Sequence, residues 1–315
     1  MPCGCIASVA ADPGAGLGPE RPVRSLLFVP GNRPAWFAKA VASGADGLII
    51  DLQDAVPPAE RPAAYQAVAT FIAERQAAHA DVPVLLIRVS AVDDPAFEDC
   101  LQAVVRRGVD GIVLPMVNAV DDVALLSDRL AALEAAAGID RPLRIVPLME
   151  TALALQHCFD IFACSPRVAY AGGSTARGGD LARSLGFVWT PEGLETLYLR
   201  SHALLAARAA GVANPISGMW GAVGDLDGLR AFAAQTRGLG YRGMMVIHPS
   251  HVTVVNEAFS PTPQQISDWR QTIEEISRLH EAGAGTGRLA GELIDAAHAA
   301  TAREELARAE AFGLL

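Results

Sequence analysis

The chain has 315 residues, 51% of them hydrophobic, and a formal net charge of −10 at pH 7. That composition excludes a mainly disordered polymer and suffices for one large barrel or two average domains. The acidic balance argues against a nucleic-acid binder, whose affinity rests on clustered Lys and Arg, so an anionic substrate has to meet a local positive site.

Residues 1–22 are rich in Ala, Gly and Pro and lack a basic stretch followed by a long apolar run, so they read as a loose tail and not as a secretion signal. Cys3 and Cys5 in that tail are too few for a closed metal site. With Cys100, Cys158 and Cys164 they make five cysteines, an odd number without zinc-ligand spacing, as expected of a reduced, cytoplasmic protein. No run reaches the roughly 18 apolar residues needed to cross a bilayer.

Eight short, mostly β-branched apolar runs follow, at 25–30, 47–51, 83–89, 111–115, 143–150, 167–172, 211–219 and 243–248. Stretches with helical spacing separate them; Val123, Leu126, Leu130 and Leu133 fall at steps of three and four, opposite Asp122, Asp128 and Arg129. Runs such as Gly47-Leu48-Ile49-Ile50 are continuously apolar, which suits a parallel sheet buried on both faces. Repeated βα units of this number predict an α/β protein with a (β/α)8 TIM barrel over 23–282. An open doubly wound sheet is the alternative, but the first βα turn, Phe28-Val29-Pro30-Gly31-Asn32-Arg33-Pro34, lacks the glycine fingerprint for a dinucleotide. Residues 263–282 read as a helix, 283–291 as a glycine-rich connection and 292–312 as a further helix, so 283–315 form a C-terminal helical extension, a candidate lid or subunit contact.

Barrel chemistry sits at the C-terminal ends of the strands. Asp51, Asp54, Arg88, Glu150, Asp180 and His248 all end or follow predicted strands and would share that rim. Glu150 has two readings, a metal ligand or a salt-bridge partner; Asp180, in Gly178-Gly179-Asp180-Leu181, is a metal ligand or a helix N-cap. Two carboxylates from adjacent strand ends match the way Mg²⁺ is held, with water and substrate oxygens completing its octahedron. Arg88 needs an anion for its planar fork, either a substrate carboxylate or Asp51 or Asp54. Arg24 is the weakest candidate for substrate binding, since it starts its strand. His248 is a proton carrier or a loop-stabilising group. The only lysine is Lys39, on the first predicted helix, which disfavours a Schiff-base aldolase, and no activated Ser or Cys motif appears.

Four segments together resemble the citrate lyase beta-subunit-like branch of the HpcH/HpaI aldolase family: Arg24-Ser25-Leu26-Leu27-Phe28-Val29-Pro30-Gly31; Asp51-Leu52-Gln53-Asp54-Ala55-Val56-Pro57; Gly179-Asp180-Leu181 with Leu185-Gly186; and Ile247-His248-Pro249-Ser250 followed by Asn256-Glu257-Ala258-Phe259. The resemblance implies a Mg²⁺ site at Glu150 and Asp180, with Arg88 on the carboxylate of an oxo acid. It implies cleavage or formation of a short β-hydroxyacyl-CoA thioester and a homo-oligomer, trimer or hexamer. Neither a nucleic-acid nor a membrane partner is expected. Related readings are a metal-dependent aldolase on free hydroxy-oxo acids and a catalytically silent oxo-acid binder. The chain departs from the family pattern at Gln53 (usually Glu), Met116 (usually Lys), and Ser217 and Ala222 (commonly Asp), which leaves the general acid or base unassigned.

Overall fold

The computed structural model describes residues 20–77, 83–173 and 175–315. Cys3, Cys5 and most of the tail expected over 1–22 lie outside the described residues. Residues 20 and 21 are tied down: Glu20 accepts the backbone N–H of Ala213 and Asn214, and the Tyr170 hydroxyl donates to the Arg21 carbonyl at 2.9 Å.

The chain divides into two compact units, one ending at Ala258 and the other spanning Phe259–Leu315. The first is the eight-stranded βα repeat. In chain order it contains β1 (Ser25–Pro30), α1 (Phe37–Val41), β2 (Gly47–Asp51), α2 (Arg61–Ala77), β3 (Val84–Arg88), α3 (Phe97–Val104), β4 (Gly111–Leu114), α4 (Val120–Ala137) and β5 (Arg144–Met149). Then come α5 (Ala152–Gln156), α6 (Cys158–Ala163), β6 (Gly172–Gly173), α7 (Asp180–Leu185), α8 (Leu194–Ala209), β7 (Ile216–Ser217), α9 (Leu226–Leu239), β8 (Gly243–Val246) and α10 (Pro249–Phe259). All eight strands are parallel, in the order β6-β5-β4-β3-β2-β1-β8-β7.

Backbone approach, without a ladder, brings the two ends of this order together. A Cβ at Gly172 would collide with the Ile216 carbonyl and one at Gly218 with the Thr175 backbone, and the Met219 N–H donates to the Thr175 carbonyl at 3.0 Å. Glycine is required where two backbones come this close. The result is a nearly closed barrel. Its interior is filled by Leu26, Ile49, Leu86, Val113, Val146, Leu148, Ile216 and Met245, drawn from seven strands, with Ala169 and Tyr170 beside β6. Each such buried aliphatic side chain contributes roughly 1.5–3 kcal/mol.

Four expectations need correction. The strand expected over 211–219 shrinks to Ile216–Ser217, since Pro215 offers no N–H to a ladder. The strand expected over 167–172 shrinks to Gly172–Gly173 plus one bridge between Ile145 and Val168, because Tyr170 has φ +54° and interrupts the ladder. The helix stripe on α4 buries Glu134 and leaves Leu133 half-exposed; Glu134 forms a bidentate pair with Arg167, both bonds 2.8 Å, and accepts the Leu143 N–H. In the second unit, α11 (Pro263–Glu281) is followed by a hairpin, β9 (Thr286–Leu289) and β10 (Glu292–Asp295), before α12 (Ala296–Ala311). The stretch 283–291 is thus no mere connection, and the helix expected from 292 starts four residues later. Ala290 and Gly291, at φ +50° and +89°, make the tight turn. The unit has its own small core of Ile276, Ile294 and Ala299, so α11 groups with the extension and not with the barrel.

Candidate active site

Strand register builds the first half of the site. Asp51 and Arg88 are paired positions at the ends of neighbouring parallel strands, and their side chains close a fork. Arg88 Nε donates to Asp51 Oδ1 at 2.8 Å and Nη2 donates to Oδ2 at 2.7 Å. Arg88 Nη1 lies 3.3 Å from Asp54 Oδ2, and the guanidinium sits 5.2 Å from the Phe28 ring centroid. Burial opposes the Arg88 charge, yet Asp51 and Asp54 outweigh it and hold its pKa above the ordinary value. The pairing reading of Arg88 is therefore present in the fold. A guanidinium has five N–H donors, more than the Asp51 fork uses, so its Nη1 edge can also receive an anion.

Glu150 follows β5 and is half-buried. Burial pushes its carboxyl up to about 6, against the pull of Arg88 and of the Met116 N–H, which donates to Glu150 Oε2 at 3.1 Å; the charges of Asp180 and Asp54 push it further up. The Asp54 carboxyl is raised as well, by burial first and against Arg88, with Asp51 and Asp180 adding to the rise. Asp180 opens α7 as its first helical residue. Gly179 stands at the cap position and no side chain caps the helix, so the N-cap reading of Asp180 fails. Its partner is Arg183, one turn on, at 2.6 Å.

Glu150 and Asp54 both feel the charge of Asp180, which makes this part of the rim an oxygen-only, negatively biased neighbourhood. Among the described residues, no three His, Cys, Asp or Glu side chains group into a metal cage. Two carboxylates in an open, hard-oxygen setting suit Mg²⁺, which keeps several waters, better than a closed structural zinc site. The raised Glu150 carboxyl is a group that a divalent cation would relieve of its charge penalty.

Two predicted residues fall elsewhere. Arg24 precedes β1, at the opposite end of the strands, where its Nε and Nη2 clasp Asp46 at 2.8 Å each. It does not join the rim group, which corrects its assignment to substrate binding. His248 follows β8 on the rim, but its Nδ1 accepts the Ser250 N–H at 3.2 Å and lies 2.8 Å from the Ser250 hydroxyl, a loop-stabilising arrangement. At the positions that depart from the family pattern, Ser217 is buried with its hydroxyl unpartnered, and Gln53 buries an unpartnered side-chain oxygen. Met116 contributes its backbone amide in place of a side-chain cation. The sequence reading missed Asn118 and Thr151, which hydrogen-bond to each other beside Glu150 at 2.7 Å. The only available signal was Thr151 as a hydroxyl residue heading a helix.

The model of the HpcH/HpaI aldolase/citrate lyase family matches residues 24–249. The chain is 32% identical to a (3S)-malyl-CoA thioesterase of Cereibacter sphaeroides over 290 residues, 92% of this chain and 95% of the relative. It is 30% identical to an L-malyl-CoA/beta-methylmalyl-CoA lyase of the same species over 299 residues, 89% of this chain and 92% of the relative. Among solved structures it is similar to the citrate lyase beta subunit of M. tuberculosis complexed with oxaloacetate and magnesium, with a TM-score of 0.61 and 26% identity over 76% of this chain and 98% of that one. Strand order, rim carboxylates and these likenesses agree: the chain belongs to the HpcH/HpaI aldolase/citrate lyase family.

Proposed function

We propose that the protein is a Mg²⁺-dependent carbon–carbon lyase that cleaves, or in reverse forms, a short β-hydroxyacyl-CoA of the malyl, citramalyl or citryl type, giving an acyl-CoA and an oxo acid. The observation that carries this reading is that Glu150 stands in the field of both Arg88 and Asp180, in a setting that disfavours its bare charge. The malyl-CoA names of two relatives support the substrate class. Glu150 and Asp180 would hold the metal, which when bound would polarise the oxygen of the oxo-acid fragment. Arg88 would orient that fragment through its carboxylate, while the Asp51 fork fixes the guanidinium plane. In the cleavage direction the hydroxyl proton leaves, the carbon–carbon bond breaks, and its electron pair passes to the thioester fragment, which takes up a proton at carbon.

The test is a coupled assay of purified protein on malyl-, citramalyl- and citryl-CoA, with Mg²⁺ and with EDTA. EDTA-sensitive release of an oxo acid is expected. Activity on free hydroxy-oxo acids without CoA dependence would favour the aldolase reading. One observation favours a silent oxo-acid binder: Ser217 and Ala222 stand at the two positions where the family commonly has Asp. Calorimetric binding of oxo acids with no turnover on the panel would establish that reading.

A homo-oligomer, trimer or hexamer, is part of the proposal. The outer face of α8 supports it, since Leu194, Tyr198 and Leu205 are 67%, 70% and 69% exposed with no charged residue between Glu195 and Arg208 apart from the buried Arg200. A cytoplasmic location accords with the free thiols of Cys100, Cys158 and Cys164. No described helix is long and apolar enough to cross a membrane.

A further inference from the structure

The inference concerns how the fold holds Glu150, and it rests on the reading of Glu150 as a Mg²⁺ ligand. Met116, two residues past β4, has φ +53°, a left-handed backbone disfavoured for any residue with a Cβ. That backbone turns its N–H toward Glu150 Oε2. Asn118 holds the turn: its Nδ2 donates to the Met116 carbonyl at 3.0 Å, and its Oδ1 accepts the Thr151 hydroxyl at 2.7 Å. A carbonyl can only accept, so the amide orientation follows from its partners. The Asn118 backbone is fixed in turn, because its N–H and that of Ala119 both donate to Asp122 Oδ2, at 2.7 and 3.0 Å. Thr151 follows Glu150 directly and caps α5 by accepting the Ala154 N–H at 3.0 Å. Glu150 is thus bracketed, its carboxylate by the Met116 amide and its backbone by the Thr151 cap, and Asn118 joins the two brackets.

We infer that Asn118 is a positioning residue for the metal site, whose side-chain amide links the loops after β4 and β5 and sets the Glu150 carboxylate for a divalent cation. Groups that orient metal ligands in this way typically change metal affinity by about 10–100-fold. The test is calorimetric titration of the purified full chain with Mn²⁺ alone, without substrate. Wild type and Thr151→Ser, which keeps the hydroxyl, are expected to bind alike. Asn118→Ala and Thr151→Val are expected to bind about 10–100-fold more weakly, and the double variant no more weakly than the weaker single one, because both break the same link. Should alanine at 118 unfold the chain, Asn118→Asp serves instead: it keeps the acceptor for Thr151 but loses the donor to Met116, and weakened binding is again expected. A folded Asn118 variant that binds Mn²⁺ like wild type overturns the inference and leaves the Glu150 reading standing. Wild-type protein that binds no divalent cation overturns both.

Discussion

The two ends of the barrel treat charge in opposite ways. At the N-terminal ends of the strands the buried Glu134 and the half-buried Asp46 and Asp110 are matched: Asp46 by Arg24, Glu134 by Arg167 in a two-bond pair, and Asp110 by the Leu85 N–H and the nearby Arg75. At the C-terminal ends Asp51, Asp54 and Glu150 share one Arg88, with Asp51 taking the two-bond fork, and burial raises Asp54 and Glu150 against its pull. Neutralised pairs serve folding, whereas carboxylates shifted by burial and like charge concentrate at functional sites, which in a barrel lie at the C-terminal ends of the strands. The difference separates stability from chemistry along a single axis.

Arg167→Ala should break the matched end most severely. It leaves the Glu134 carboxylate buried beside only the Leu143 amide, at a cost of about 3–5 kcal/mol in urea unfolding, while the metal-dependent rate per folded molecule stays at the wild-type level. Glu150→Ala should do the reverse, lowering Mg²⁺-dependent turnover by more than about 100-fold, the upper range for residues that merely orient ligands, with the fold intact by circular dichroism. Full activity in that variant would remove Glu150 from the site.

Glu150→Gln sharpens the comparison through pH. The folded carboxyl is raised to about 6 from an ordinary 4.5, so its protonated form stabilises the fold below about 4.5 and that contribution is lost as the pH rises through 6. In metal-free wild type the loss is on the order of 2 kcal/mol. The glutamine variant should lack this slope and melt higher than metal-free wild type at pH 7; parallel pH profiles would refute the assignment. The smallest effect is expected for Met116→Gly, which relieves the left-handed backbone while keeping the N–H, a net gain of about 0.5–1 kcal/mol in thermal unfolding.

Much of the barrel is legible in the sequence. The first two strands match the predicted 25–30 and 47–51 residue for residue, because continuous apolar runs bounded by Pro, Gly and Asp leave little freedom. The sixth and seventh were over-extended, since the pattern of 167–172 carries no sign that Tyr170 turns left-handed, and Pro215 offers no N–H to a ladder. The hairpin of the second unit was hidden because its turn uses Ala290-Gly291, where Asn-Gly would have announced it. At the rim, the ionisable residue types could be read but their partners could not. In sequence Arg88 fits a substrate carboxylate or Asp51 or Asp54, and only strand register sets it beside Asp51. Asn118 gave no signal, because a short polar side chain in a loop has too many local roles for sequence to choose among them.

The Met116 amide bears on how this mouth can change over time. Since the group that reaches Glu150 belongs to the main chain, every amino acid except proline supplies it, and the side chain at that position is released from the task. Mutational drift from a charged to an apolar side chain can therefore alter the polarity presented to incoming molecules while the donor to the carboxylate is inherited unchanged.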